Sequence, residues 1–230
     1  MRFLKRDPLR VLAAHEAWCH AGQPWWARAR IVADADLRGA DLSGRQLAHV
    51  RLARVDLRGA NLAGAIFSLA RLEDVRLDGA RLAGSQWHLA ELTRVSIAGA
   101  DLARANLSSG RFHHVMAAEA VLHDANLVKS CWDDCDLAQA DFTGSSMIRA
   151  EFSRCRLTGS NWSRTGHVKS MFDGCDMRNA CLAASSLERV FITRSRVAGM
   201  HGPVAALQRL AAYHLEDDAP DALIARLLER

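Results

Sequence analysis

The sequence predicts a solenoid, a fold made by stacking one short unit many times, and three observations predict it. From Leu37 onward a large apolar residue recurs at every fifth position, through Leu42, Leu47, Leu52, Leu57, Leu62 and Phe67 to Leu107 and Phe112. After a lapse at Ala117 the series resumes in register from Leu122 to Trp162, and it runs again from Phe172 to Val197. Two positions before each large residue sits a small one: Ala35, Ala40, Val55, Ala60, Ala65, Ala70, Val75, Ala80, and so on to Ser195. Longer echoes lie over this, because LVKSCWDDCDL at 127–137 returns as HVKSMFDGCDM at 167–177, with MIRAEFSRCRL halfway between. A strand repeats every two residues and an α-helix every 3.6, so neither buries this pattern on one face. A fixed internal period marks stacked architectures instead.

The segments ADLRGADLSG, VDLRGANLAG and AGADLARANL carry an A(D/N)LxG pattern, and residues 32–199 resemble the pentapeptide-repeat family. The resemblance implies an all-β solenoid, a right-handed quadrilateral β-helix in which four pentapeptides make one square coil and every twentieth residue stacks above its counterpart. The run is long enough for about eight coils, a rod of roughly 40 Å at the usual strand spacing of about 4.8 Å. Stacking at that spacing pairs backbone groups along the axis while one large side chain per side fills the bore. Glycines two places after the central residue, as at Gly39, Gly59 and Gly79, suit a tight turn that needs positive φ. Asp and Asn just before the centre suit the same turns, since their side chains bond local amides.

Three parts are expected: an N-terminal helical cap over 1–31, the β-helix over 32–199, and a C-terminal helical cap or dimerisation element over 200–230. All four prolines, Pro8, Pro24, Pro203 and Pro220, fall outside the repeat run. DPLRVLAAHEAWCHAG has Pro8 in its first turn and Gly22 after its end, which reads as a helix. Trp18, Trp25 and Trp26 are placed to cover the first coil, whose open edge would otherwise invite aggregation. GPVAALQRLAAYHLE and APDALIARLLER read as two short amphipathic helices. Their apolar residues exceed what one coil end needs, so Leu223, Ile224, Leu227 and Leu228 are candidate contacts of a homodimer.

Folding the sequence at twenty sorts the central residues into four faces, named here by Leu37, Leu42, Leu47 and Leu52. The small inward positions before the Leu37 face run Val55, Val75, Val95, Val115, Cys135, Cys155, Cys175. These cysteines continue a valine ladder and read as small core residues, with a metal or redox role as the alternative. Parallel Cβ atoms about 4.8 Å apart fall outside the disulfide window. Phe112, Trp132, Phe152 and Phe172 form one aromatic column in the bore. Outside that face, His113 and His114 lie one rung from Asp133 and Asp134, candidate ligands for a divalent metal unless they simply pair as an exposed ladder. Arg54, Asp74 and Arg94, then His114, Asp134 and Arg154, alternate in charge along one column and predict ion-pair ladders. His167 takes a central inward position between Met147 and Leu187, costly unless bonded, so a local distortion or an accommodated core histidine is expected. At Ala117, Met116 or Phe112 is expected to fill the space.

The 230 residues are 50% hydrophobic and 24% charged with net charge +4, an ordinary soluble composition too mildly basic to imply nucleic acid or anionic membrane. No apolar stretch approaches the roughly 18 residues of a membrane span, and the six cysteines lack the pairing of secreted scaffolds, so a cytoplasmic protein with reduced thiols is expected. Phosphate-binding glycine loops, GxSxG and HExxH are absent from the sequence, which points to a noncatalytic protein without a cofactor.

The expected role is a scaffold that binds a protein partner through the Leu47 face, where Val128, Ile148 and Val168 stack beside Lys129, Arg149, Lys169 and Arg189. Leu69 and Leu89 extend its apolar character, and a terminal helix of the chain itself is the competing cover. The family resemblance implies an alternative, a DNA mimic that binds DNA gyrase or topoisomerase IV and protects against topoisomerase poisons. Residues 32–199 carry 21 Lys/Arg against 19 Asp/Glu, and the columns Asp36, Asp56, Arg76 and Asp136, Arg156 are broken, whereas a mimic needs a continuous acidic face. Direct nucleic-acid binding is weaker still, because the basic edge lacks interleaved exposed aromatics.

Overall fold

The computed structural model describes residues 7–21, 31–208, 210–216 and 220–228. Residues twenty apart pair in parallel along all four sides, as in Asp36 with Asp56, Asp41 with Asn61, Gln46 with Ile66, and Arg51 with Arg71. On the Leu52 face the pairing is continuous enough for ten three-residue strands, from Ile31–Ala33 to Ala211–Tyr213, in one parallel sheet. Ten rungs enclose about nine turns of a β-solenoid, one more than the repeat run suggested.

The pentapeptide explains where its backbone groups go. In the unit around Leu57, the Asp56 N–H donates to Ala35 O at 2.9 Å and the Leu57 N–H to Arg76 O at 2.7 Å, so successive amides bond to the rungs on either side. The Gly59 N–H donates to Asp78 O, and the Ala60 N–H closes the corner onto Leu57 O at 3.0 Å. From Asp56 to Ala60 every backbone amide has an acceptor, the Arg58 N–H donating to the Asp56 carboxylate at 3.2 Å, as a buried backbone requires. The corner residue has positive φ whether or not it is glycine: Gly59 at 64°, but also Leu69 at 60° and Leu89 at 58°.

The bore is filled as the period requires, with the central residues buried. Phe112 stacks on Trp132 at 3.9 Å and Phe152 on Phe172 at 5.1 Å, the column expected from sequence. Phe142 on Trp162 and Phe67 on Trp87 form two further stacks on other faces. Each buried tryptophan needs an acceptor for its indole N–H, and each finds a serine two residues earlier. Trp87 donates to Ser85 Oγ at 2.7 Å, Trp132 to Ser130 Oγ at 3.1 Å, and Trp162 to Ser160 Oγ at 2.5 Å. Those serines donate in turn to the carbonyls of Leu82, Leu127 and Leu157.

The cysteine ladder is core. Cys135, Cys155 and Cys175 are buried free thiols, and their Sγ atoms donate to the carbonyls of Phe112, Trp132 and Phe152 at 3.3 to 3.4 Å. Hydrogen bonding with Cys155, together with burial, pushes the Cys135 and Cys175 thiols up. At the weak centre, Ala117 is buried while Met116 points out and is 56% exposed, so Met116 does not fill the space. Gly110, the small residue before Phe112, has the Phe112 ring lying where a Cβ would sit.

Both ends differ in part from the sequence expectation. Helix α1 (Pro8–His20) is capped by the Asp7 carboxylate, which accepts from the Leu9 N–H. It buries Leu12 and His15 against the first coils, His15 Nε2 lying 2.7 Å from Ala48 O, and Glu16 pairs with Arg45. Trp25 and Trp26 lie outside the described residues, and Trp18 is half-buried. The helix expected over 202–216 does not form. Ala206–Gln208 instead pairs with Ser186–Glu188 and Ala211–Tyr213 with Phe191–Thr193, so the coil continues beyond residue 199. Helix α2 (Pro220–Leu228) follows, tied down by the Val204 N–H donating to Leu227 O. Leu223 and Leu227 are fully buried in the core of their own chain, which corrects their assignment as dimer contacts. Ile224 is half-buried, and the Leu228 side chain lies outside the described residues.

Candidate partner-binding surface

Most charges on this rod are locally matched. Asp36 and Asp56 each grip the arginine two residues on, with Arg38 and Arg58 guanidinium nitrogens at 2.6 Å, and the Arg38 hydrogen bond holds the Asp36 carboxyl at about 2. Between rungs, Arg54 pairs with Asp34, Arg94 with Asp74 and Glu73, Arg156 with Asp136, and Arg194 with Asp173. The predicted ladders are therefore present, with one change: Arg154 reaches Asp133 and not Asp134. This matching breaks the acidic columns at close range, since the carboxylates already face guanidinium groups.

The candidate metal ligands are absorbed in the same way. His113 Nδ1 lies 3.1 Å from an Asp133 oxygen and His114 Nδ1 lies 2.9 Å from an Asp134 oxygen, each histidine taking its own partner one rung away. Among the described residues no group of three or more His, Cys, Asp or Glu side chains is placed to hold a metal ion.

The Leu47 face departs from this pattern. Lys129, Arg149 and Lys169 are exposed on three successive rungs, and none of them has an ion-pair partner among the described residues. Arg189, the next rung, has only a 3.9 Å contact with Glu188. Immediately before them in the chain, Val128, Ile148 and Val168 form an outward apolar column in which Ile148 is 40% exposed. Further along the rod, Leu69 and Leu89 occupy the same corner position as the cations and are 44% and 45% exposed. The described parts of the terminal helices do not supply the cover: α1 meets this face at Ala48, and α2 is tied to the last coil at Val204.

The local distortion expected around His167 is a change of backbone within this face, and it extends to a second rung that the sequence did not single out. From Val50 to Ala150 each corner closes with an N–H donating three residues back, ending with Ala150 to Met147 O at 3.2 Å. At the next two rungs the chain instead runs as strands Gly166–Val168 and Ser186–Glu188, and Ser170 Oγ donates to Met147 O. Beside these altered corners opens a pocket of about 470 Å³ lined by Lys169, Arg189, Phe191 and Ala211, with Phe191 itself 43% exposed. The only local signal was Gly166 before His167, where the usual residue is Gln, Ile, Asn or Ser.

The pentapeptide-repeat pattern matches in eight copies over residues 35–74, 70–108, 120–159 and 150–189, more than half of the chain. The chain is a pentapeptide-repeat protein. No curated protein sequence matches it. Among solved structures it is similar to HetL from the cyanobacterium Nostoc sp. strain PCC 7120, a pentapeptide-repeat protein involved in heterocyst differentiation regulation, with 20% identity and a TM-score of 0.54 over 88% of this chain and 96% of that one. It is also similar to full-length QnrB1, a plasmid-mediated fluoroquinolone resistance protein, with 14% identity and a TM-score of 0.56 over 86% of this chain and 99% of that one. At these identities the likeness establishes the fold of this pentapeptide-repeat protein and leaves its partner open. No described helix is long and apolar enough to cross a membrane.

Proposed function

We propose that this pentapeptide-repeat protein is a noncatalytic scaffold that binds a protein partner through the Leu47 face. One observation carries this reading. Arg51, Arg81, Arg104 and Arg164 also lack an ion-pair partner among the described residues, but each stands singly on its column, whereas on the Leu47 face three unpaired cations stand on consecutive rungs beside an exposed apolar column. Like charges directly opposite one another in a sheet are destabilising, and exposed apolar columns cost solvation, so both are relieved by a partner and by nothing described in the free chain.

Ile148→Glu places a charge in the middle of that column. The expected result is loss of a defined set of captured proteins when the variant replaces wild type as bait, with thermal stability held; an unchanged set would count against the reading.

The alternative, a topoisomerase-binding DNA mimic conferring resistance to topoisomerase poisons, draws support from the fold shared with QnrB1. The arginines gripping Asp36, Asp56, Asp136 and Asp176 weigh against it, because they leave no continuous acidic face. A DNA gyrase supercoiling assay with and without a quinolone separates the two: inhibition or protection at stoichiometric protein favours the mimic, and no effect favours the scaffold.

A further inference from the structure

We infer that the partner element received by the Leu47 face is an acidic amphipathic helix lying along the rod axis; this rests on the scaffold reading and adds the chemistry of what docks. Charge comes first. Lys129, Arg149 and Lys169 are unpaired on successive rungs and Arg189 nearly so, whereas the corner cations Arg54, Arg94 and Arg194 of the Leu52 face each hold a carboxylate, and the unpaired corner cations Arg104 and Arg164 of the Leu42 face stand singly. A row of cations is matched by a row of carboxylates brought from outside.

Spacing narrows the shape. Consecutive rungs lie about 4.8 Å apart, so the four cations span roughly 14 Å. Along an α-helix, residues at i and i+3 are separated by about 4.5 Å of rise and those at i and i+4 by about 6 Å, so carboxylates at i, i+3, i+7 and i+10 cover about 15 Å. A helix stripe therefore keeps step with the rungs. An extended strand presents same-side residues about 6.6 Å apart and falls out of step after two of them.

The apolar column fixes the second stripe. Val128, Ile148 and Val168 stand one residue before the cations on the same rungs, so a docked helix must carry apolar residues beside its acids. Duplex nucleic acid offers the negative charge and has no apolar stripe to cover Ile148. At the Arg189 rung the column position is Glu188, and the roughly 470 Å³ pocket lined by Lys169, Arg189, Phe191 and Ala211 lies on the other side of the cations, with room for one large apolar side chain flanking the acidic stripe. Aliphatic stems of Lys and Arg pack against such a side chain while their charges remain in water.

The test uses the full chain and a synthetic helix of about 18 residues, long enough at about 1.5 Å per residue to span all four rungs. Glutamates occupy one stripe at i, i+3, i+7 and i+10, and leucines the adjacent stripe. Fluorescence anisotropy compares it with a scrambled peptide of the same composition, with poly-glutamate, and with a short DNA duplex. The inference expects saturable binding to the designed helix alone, weakened by salt, and lowered at least about tenfold both by the triple variant Lys129→Glu/Arg149→Glu/Lys169→Glu and by Ile148→Glu. All four residues are on the surface, and circular dichroism melts confirm that the variants fold. Equal binding of poly-glutamate or the scrambled peptide overturns the helix and leaves a polyanion surface; preference for DNA overturns the protein partner. If the designed helix fails to bind while Ile148-dependent capture persists, this inference falls and the scaffold reading stands. Failure of both removes the scaffold reading as well.

Discussion

Thr165 Oγ1 lies 2.9 Å from His167 Nε2 inside the bore and already donates its own hydrogen to Trp162 O at 2.6 Å, so the imidazole donates from Nε2. That arrangement repeats the serine-to-tryptophan bond of Ser85, Ser130 and Ser160, with threonine and histidine substituted. It leaves Nδ1 as a bare acceptor with no partner among the described residues, and desolvation holds the His167 pKa down to about 3.

The first prediction follows from that pKa. The unfolded chain binds a proton at His167 near the ordinary histidine value of 6.5 while the folded chain does not until about 3, so stability rises with pH between those values. Moving from pH 7 to pH 5 should cost wild type about 2 kcal/mol that His167→Leu does not lose. Urea denaturation of both proteins at the two pH values measures the difference, and parallel loss would show that His167 is not the group responsible.

Serines in the bore should divide by what they hold. Ser160→Ala removes the acceptor of the Trp162 N–H and should destabilise by about 1–3 kcal/mol, with Ser130→Ala behaving alike. Ser145 is equally buried but its hydroxyl has no partner among the described residues, so Ser145→Ala should leave stability unchanged or raise it by about 1 kcal/mol. Opposite signs in chemical denaturation are the expected outcome.

Cysteine chemistry should not matter to the fold. Cys155→Val restores the residue type found at Val75, Val95 and Val115 in the same column and should shift stability by under about 1.5 kcal/mol. Melting temperatures with and without reductant should coincide, and a drop under reducing conditions would reveal a disulfide.

Leu69 and Leu89 hold positive φ at exposed corners, a conformation that costs a side chain with Cβ roughly 1–2 kcal/mol. Leu89→Gly should therefore be neutral or stabilising by up to about 1 kcal/mol, after subtracting glycine's extra freedom in the unfolded chain. Marked destabilisation would mean that Leu89 packs against a part of the chain not described.

The square coil was legible because period five leaves the backbone few ways to bury Leu37 to Val197, and the columns followed from counting in twenties. The last coil was not. AALQRLAA is built from strong helix formers, its inward residues at Leu207 and Ala212 are separated by a Leu210 that also suits a helix, and Gly202 stands where the five-residue series calls for a large apolar side chain. What decides for strand there is the open edge of Ser186–Glu188 and Phe191–Thr193, which offers unpaired backbone groups to whatever chain comes next. The Leu47 face was identified as the surface of interest from its apolar and basic columns. Its lack of counter-ions was not legible, because pairing depends on which of two neighbouring rungs an arginine reaches, as Arg154 choosing Asp133 shows.

Axial bonding between residues twenty apart constrains how such a chain can change length. Loss of one whole coil removes a single step and leaves every column aligned, so the row of cations would shorten from four to three with its direction intact. Loss of a single pentapeptide rotates everything beyond it by a quarter turn and carries half the row onto another side. The rod is thus graduated: its reach can vary only in whole steps of twenty residues, and whatever grips it is measured in the same steps.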